Sequence, residues 1–374
     1  MRIDFVITEL FVGGAEKCLT ELAIGLHASG DDVRVFSIAP LPQGPQAKFV
    51  DRLSGHGIDI VTAGTSHPRG AAKAYTTLKR WMAARPADIC QTFLFHANVL
   101  GTHASAAATP STVRIGGLRV AEPIRWRNWL ERTAVRRMDV LVCVSNQTQA
   151  FASEHLRAKA SQLRVIPNGI DVASFADVQP ADWSTWGWPR DSQVTLFVGR
   201  LHPQKGLDLL QDQIDTIAPV GSHQRLCLVG DGPLRDDLVR WSESVGHDRV
   251  RVLPWQSEVA PLMKAARLLV LPSRYEGMPN VVLEAMAVGT PVVCSRVEGS
   301  EELLGHRHHE QTFAPEDSVT MARLIQRMQS DDDLCQLLSD ENRRVVQDRF
   351  STVGMIEHYR QVYQDLLVAR SQTG

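Results

Sequence analysis

Apolar residues fall along this chain in short runs separated by longer amphipathic stretches. RIDFVIT, DVRVFSIA, IDIVTA, DICQTF, TVRIGG and DVLVCVS are brief and rich in Val, Ile, Leu and Phe, the pattern of buried strands. Between them, AEKCLTELAIGLHASG, AAKAYTTLKRWMAAR and HANVLGTHASAAA read as helices. This alternation argues for βαβ units around a parallel sheet. The scheme begins again with QVTLFVG, QRLCLVG, RVRVL, ARLLVLPS and TPVVCS. The pattern repeats without a repeat of the sequence itself. Between the halves, VIPNGIDVASFADVQPADWSTWGWPRDSQ is aperiodic and rich in Pro, Asp, Ser and Trp. It reads as an interdomain linker and the opening loop of a second domain. A final helical run, from about Thr352 to Ala369, places Met355, Tyr359, Val362, Tyr363 and Leu366 near helical spacing.

The totals fit this picture. At 374 residues, two domains are the natural division, and a hydrophobic share of 44% is enough for two cores. A net charge of −2 gives no global argument for nucleic-acid binding. Six cysteines, at 18, 90, 143, 227, 294 and 335, form no CxxC pair and read as small buried thiols of a reduced, cytoplasmic protein. MRIDFVIT lacks a signal-peptide core and carries Asp4 inside its apolar run. No stretch approaches the ~20 apolar residues of a spanning helix, so any membrane contact is expected to be peripheral.

Candidate chemistry concentrates in SRYEGMPNVVLEAMAVGTP, residues 273–291. Two carboxylates, Glu276 and Glu284, have seven residues between them. A strand ends just ahead, and a Gly277-Met278-Pro279-Asn280 turn opens a helix, with either Pro279 in the first helical turn or Asn280 as its cap. Free N–H groups and the helix dipole favour an anion at such a point, while the two acids suit ligand hydroxyls. In LFVGRLHPQKG, Arg200 and Lys205 flank a loop after a strand, where a guanidinium and an ammonium suit a diphosphate. Gly13-Gly14-Ala15-Glu16 follows the first strand and starts a helix. Its glycines allow close backbone approach, and Glu16 is equally a helix cap. Gly230-Asp231-Gly232-Pro233 is either a ligand-facing loop or a tight turn.

Taken in order, GGAE, VSN, IPNGID, GRLHPQKG, VGDGP and the E-x7-E block resemble the retaining glycosyltransferases of group 1 (family 4), over essentially the whole chain. The resemblance implies a GT-B fold: two α/β, Rossmann-like domains facing a central cleft. Residues 1–170 would form the acceptor domain, 171–350 the nucleotide-sugar domain, and 351–374 a helix crossing back to the first domain. It implies that Arg200 and Lys205 hold the donor's pyrophosphate and that Glu284 binds the ribose. Glu276 would bind the transferred sugar. The backbone of Gly277, Met278, Pro279 and Asn280 would contact phosphate or sugar, and Gly13 and Gly14 would face the donor phosphate. Glu302 matches a further acid of the pattern, with a helix-start charge as the alternative.

The chain departs from that pattern where many relatives carry a His near the reacting carbon. Here the loop reads IGGLRVAEP, with Arg119 at the position, and His96 in FLFHANVLG is a second candidate. The catalytic candidates are therefore Glu276, Arg119 and His96. No Asp-x-Asp is placed like a divalent-metal site and His306–His309 read as loop histidines, so transfer without metal or other cofactor is expected, the nucleotide sugar being a co-substrate. Arg114, Arg119, Arg125, Arg127, Arg132, Arg136 and Arg137, with Trp126 and Trp129, form a basic stretch suited to anionic lipid headgroups or a lipid diphosphate. A smaller group is Lys73, Lys79, Arg80 and Trp81. The expected function is transfer of a hexose from a nucleotide-diphosphate sugar to a glycan, lipid-linked or polysaccharide-precursor acceptor, as in cell-envelope synthesis, at the inner face of the cell membrane. The rivals are a non-catalytic nucleotide-sugar-binding subunit and a GT-B sugar-nucleotide epimerase or hydrolase.

Overall fold

Short strands with both faces covered set the architecture of this computed structural model, which describes residues 1–65, 67–122 and 124–372. The chain divides into two units, Met1–Gly169 with the segment from Thr352, and Ile170–Ser351. The first unit holds β1 (Arg2–Ile7), β2 (Asp32–Ser37), β3 (Asp59–Thr62), β4 (Ile89–Phe93), β5 (Val113–Leu118), β6 (Val140–Cys143) and β7 (Leu163–Val165). They pair in parallel in the order β3-β2-β1-β4-β5-β6-β7. Helices α1 (Gly14–Ala28), α2 (Lys48–Gly55), α3 (Ala71–Ala84), α4 (Phe95–Ala108), α5 (Arg125–Val135) and α6 (Asn146–Leu156) provide the crossovers. The order reverses between β1 and β4, and open α/β sheets generally take ligands at the C-terminal ends of strands at such a reversal.

The second unit repeats the plan with β8 (Gln193–Val198), β9 (Gln224–Val229), β10 (Val250–Leu253), β11 (Leu268–Leu271), β12 (Val292–Ser295) and β13 (Thr312–Phe313). Their order is β10-β9-β8-β11-β12-β13, parallel throughout, with the reversal between β8 and β11. Its helices are α7 (Leu207–Asp212), α8 (Ile214–Ile217), α9 (Arg235–Val245), α10 (Ala260–Ala265), α11 (Asn280–Val288), α12 (Ser300–Leu304), α13 (Ser318–Ser330) and α14 (Asp332–Arg349). The very short β7 and β13 carry too little pattern to be read from sequence.

The aperiodic stretch after β7 is more than a linker. Trp183 and Trp188 are buried, and their indole N–H groups donate to the carbonyls of Ala265 (3.0 Å) and His247 (2.7 Å). Those bonds let large aromatics cover the edge of the second sheet without helix or strand periodicity. Trp81 is also structural: it packs on Phe36 under the Arg34 guanidinium, 3.8 Å from the ring centre. Arg34 in turn forms a buried ion pair with Asp4 (2.6 Å), which explains the charge inside the first apolar run.

The final helix, α15 (Thr352–Ser371), lies against α1 within the first unit. Cys18 Sγ meets Met355 Sδ at 3.6 Å, and a Cβ on Gly25 would strike Ile356 at 2.3 Å, so the helices approach where α1 has no side chain. Tyr359 and Tyr363 are fully buried, and the Tyr363 hydroxyl donates to Gln91 Oε1 on β4 at 3.2 Å. Tyr363→Ala is expected to cost about 3–5 kcal/mol, seen as a lower urea midpoint for the first unit. A midpoint matching the unsubstituted protein would show that α15 adds nothing to that core.

Candidate functional site

The strand reversals bring the second unit's marked residues to one corner. The loop after β8 carries Arg200 and Lys205, and the loop after β11 carries Glu276. The Lys205 ammonium and the Glu276 carboxylate form an ion pair, with side-chain exposures of 17% and 10%. The Ser273 hydroxyl donates to the same Glu276 oxygen at 2.6 Å, and the Glu276 N–H donates to Glu298 Oε2 at 3.3 Å. Gly277, Met278 and Pro279 are buried, and Pro279 caps α11 in extended geometry, so Asn280 is its first helical residue. Glu284 sits one turn in and half-buried, while Arg200 is exposed.

Close backbone contacts fix this corner. Gly206 has φ +62°, and a Cβ there would lie 2.1 Å from the Pro272 carbonyl oxygen. Gly230 and Gly232 pack on the carbonyls of Gly199 and Leu201, where Cβ atoms would come within 1.9 and 2.4 Å. The Gly-Asp-Gly turn is thus a buttress for the Arg200–Lys205 loop, and its glycines are accounted for without a ligand. Ser273 and Glu298 escaped the sequence reading. Both act through three-dimensional proximity to Glu276, and no spacing in the sequence marks them.

In the first unit, Gly13 caps α1 without a side-chain bond. Glu16 folds back over it: a Cβ on Gly13 would meet Glu16 Oε2 at 2.3 Å. Arg119, just past β5, is 7% exposed, and none of its three guanidinium nitrogens has a hydrogen-bond partner. It lies 5.1 Å from the Phe93 ring centre, within the electrostatic reach of Cys18, Tyr359 and Glu16. Arg119 is therefore a buried side chain rather than one displayed at the surface. His96 stands at the surface in the first turn of α4, after Leu94, whose φ of 73° is rare for a side-chain-bearing residue. Desolvation and the nearby Arg127 cation hold the His96 imidazole below its usual range.

The basic stretch around α5 is split by the fold. Arg114 donates to the carbonyls of Arg137, Pro110 and Thr112, Arg132 donates to that of His155, and Arg127 pairs with Glu122. Trp126 and Trp129 are 60% and 63% exposed, next to exposed Ile124, Arg125, Arg136 and Arg137. Among the described residues no helix is long and apolar enough to cross a membrane, and no group of three His, Cys, Asp or Glu could hold a metal ion.

Glu16 generates a pH prediction. Desolvation, reinforced by the Glu9 charge and opposed by Arg119, raises its carboxyl from 4.5 to about 7. A carboxyl raised in the folded state contributes stability that is complete below about pH 4.5 and is lost as pH rises through 7. Ionisation above that range costs roughly 3 kcal/mol. Glu16→Gln is expected to melt close to the unsubstituted protein at pH 5 and several degrees higher at pH 8. Equal melting temperatures at both pH values would mean that Glu16 is solvated.

Comparison with known proteins follows the same division. Residues 12–174 match the model of Glycosyltransferase Family 4, and residues 192–331 match that of Glycosyl transferases group 1. The chain is 27% identical over 248 residues to the UDP-Gal:alpha-D-GlcNAc-diphosphoundecaprenol alpha-1,3-galactosyltransferase of Escherichia coli, covering 64% of each. It is 27% identical over 349 residues to the phosphatidyl-myo-inositol mannosyltransferase of Mycolicibacterium smegmatis, covering 89% of this chain and 86% of that one. For several curated relatives the match spans only about half to two thirds of their length: 64%, 54% and 57% for three of them. Among solved structures, Anabaena HepE in complex with UDP-glucose superimposes with a TM-score of 0.82 at 22% identity, covering 98% of this chain and all of the other. Sucrose-phosphate synthase from Thermosynechococcus elongatus gives 0.81 at 23% identity, covering 99% of this chain and 100% of that one. The paired sheets, the loop chemistry at their reversals and these matches place the chain in the group 1 (family 4) glycosyltransferases, with the GT-B fold.

Proposed function

We propose that the protein is a retaining glycosyltransferase that moves a hexose from a UDP-sugar to a lipid-linked or polysaccharide-precursor acceptor without a metal ion. The observation that carries this reading is the Lys205–Glu276 pair beside the start of α11, with Glu284 one turn further on. In this reading a donor diphosphate takes over Lys205 and recruits Arg200, in charge-assisted bonds of about 1.5–3 kcal/mol each. Glu276, released from Lys205, accepts from hydroxyls of the transferred sugar, and Glu284 accepts from the ribose. The backbone of Gly277–Asn280 lines the phosphate or sugar, and the Gly13–Gly14 start of α1 takes donor phosphate. The fixed cations supply the charge stabilisation that a metal would otherwise give. The departing diphosphate collects the acceptor proton on the face it leaves, so the enzyme contributes position and charge. His96, whose imidazole desolvation and the Arg127 cation hold below its usual range, serves in this reading as a hydrogen-bonding partner for the incoming hydroxyl.

UDP as the nucleotide is supported by the solved HepE complexes with UDP and UDP-glucose and by the UDP-Gal-dependent relative. A lipid-linked acceptor is supported by the diphosphoundecaprenol and phosphatidyl-inositol in two relatives' names, and by the exposed tryptophans of α5. Docking at the inner face of an anionic membrane through that basic, aromatic surface completes the reading.

Two measurements test it. UDP and a panel of UDP-sugars should raise the melting temperature without added metal, whereas GDP and ADP should not. The shift should vanish in Lys205→Ala and Glu284→Ala; a folded sample indifferent to every nucleotide would overturn the donor assignment. In flotation assays the protein should rise with vesicles rich in phosphatidylglycerol and release in high salt, and Trp126→Ala/Trp129→Ala should abolish the association. Equal binding to neutral phosphatidylcholine vesicles would overturn anionic docking.

A further inference from the structure

Arg119 poses a physical problem that the proposed chemistry leaves open. Its guanidinium is buried, and none of its three nitrogens makes a hydrogen bond of good geometry, the Cys18 thiol and the Tyr359 hydroxyl being weak partners beside it. The neighbouring Tyr359 hydroxyl is also buried and without a hydrogen bond, and the other close groups are the Cys18 thiol and the Phe93 ring. None of them is a carboxylate in contact. Buried guanidinium groups ordinarily carry paired hydrogen bonds to an anion. The first unit follows that rule elsewhere, as Arg34 with Asp4 shows.

The carboxylate that acts on Arg119 is Glu16, and the two charges act on each other. Glu16 instead bends toward Gly13, where its carboxylate fills the space at the start of α1. That is the place a helix N-terminus offers to a phosphate. Burial makes the ionised carboxylate costly there, as its raised pKa of about 7 reflects. One group therefore occupies the anion position, and one cation behind it lacks an anion.

We infer that Arg119 is a positioning residue that receives the Glu16 carboxylate when the phosphate of a bound nucleotide sugar displaces it from Gly13. This rests on the proposed arrival of donor phosphate at Gly13–Gly14. The exchange conserves charge pairing: phosphate meets the α1 start, and the displaced carboxylate meets the waiting fork of guanidinium donors. Without Arg119, a displaced Glu16 has no buried partner and competes with the phosphate. Arg119 thus supports donor binding through Glu16 rather than by touching the donor.

A double-mutant cycle on UDP affinity, measured by isothermal titration calorimetry on the full chain, separates these roles. Arg119→Met should weaken UDP binding by about 10-fold or more. Glu16→Gln should bind UDP at least as tightly as the unsubstituted protein. Arg119→Met/Glu16→Gln should return to within about three-fold of Glu16→Gln alone. Arg119→Gln serves the same cycle if the Met variant does not fold. A loss on replacing Arg119 that is equal in both backgrounds would overturn the inference, because Arg119 would then contact the ligand itself, and the donor reading would stand. No loss in either background would also overturn it. Absence of UDP binding by the folded unsubstituted protein would instead remove the donor reading, and this inference with it.

Discussion

Lys205 and Glu276 join the two loops on either side of the point where the second sheet reverses its strand order. The strands carrying those loops are direct neighbours, with Leu268 beside Thr195 and Leu269 beside Leu196, so the loops leave the sheet side by side. An ion pair this little exposed persists only when its remaining hydrogen-bonding capacity is met. Here the Ser273 hydroxyl donates to the paired Glu276 oxygen, and the Glu276 backbone N–H is held separately by Glu298. The backbone is fitted around the pair. Gly206 runs against Pro272, Gly230 and Gly232 run against the Arg200 loop, and Gly299 lies over the Gly277 carbonyl, where a Cβ would come within 2.6 Å. The glycines of this corner are needed for close approach of chain to chain, and that rigidity presents the two charges at a fixed place.

The first unit solves the same topological problem with a different distribution of charge. Two of its buried carboxylates are matched: Asp4 with Arg34, and Glu131 with the Asn98 amide at 2.8 Å, itself tied to the Gly117 carbonyl. Around the start of α1 and the end of β5 the matching is incomplete. Glu16 leans on backbone, Arg119 lacks a partner, and Leu94 holds a conformation that costs energy for any residue with a side chain. Strain and unmet polarity thus collect where the loops leave the sheet, as they often do at functional sites.

Much of this was legible in the sequence, for identifiable reasons. Parallel strands covered on both faces are continuous apolar runs, so β4, β6 and β11 stand out without an alignment. The E-x7-E block was legible because one strand–turn–helix unit holds its residues together. Features built across sequence distance were not: Glu298 lies 22 residues from Glu276 yet accepts its N–H. The burial of Trp183 and Trp188 in the second domain's opening loop was not legible, because it follows indole hydrogen bonds to distant carbonyls, and such bonds leave no periodicity. Arg119 was noticed as a departure in a motif, but only burial distinguishes a guanidinium displayed to a ligand from one stored behind a helix.

That distinction bears on how a family position can change residue without changing fold. A displayed imidazole and a buried guanidinium cannot perform the same task, since the guanidinium does not give up its proton near neutral pH and is here only 7% exposed. Arg119 stands within electrostatic reach of Cys18 and Glu16 in α1. Glu16, in the first turn of that helix, is the carboxylate whose charge acts on Arg119. On the second sheet the charges of Lys205 and Glu276 are paired and little exposed; on the first, Arg119 is buried without a carboxylate in contact.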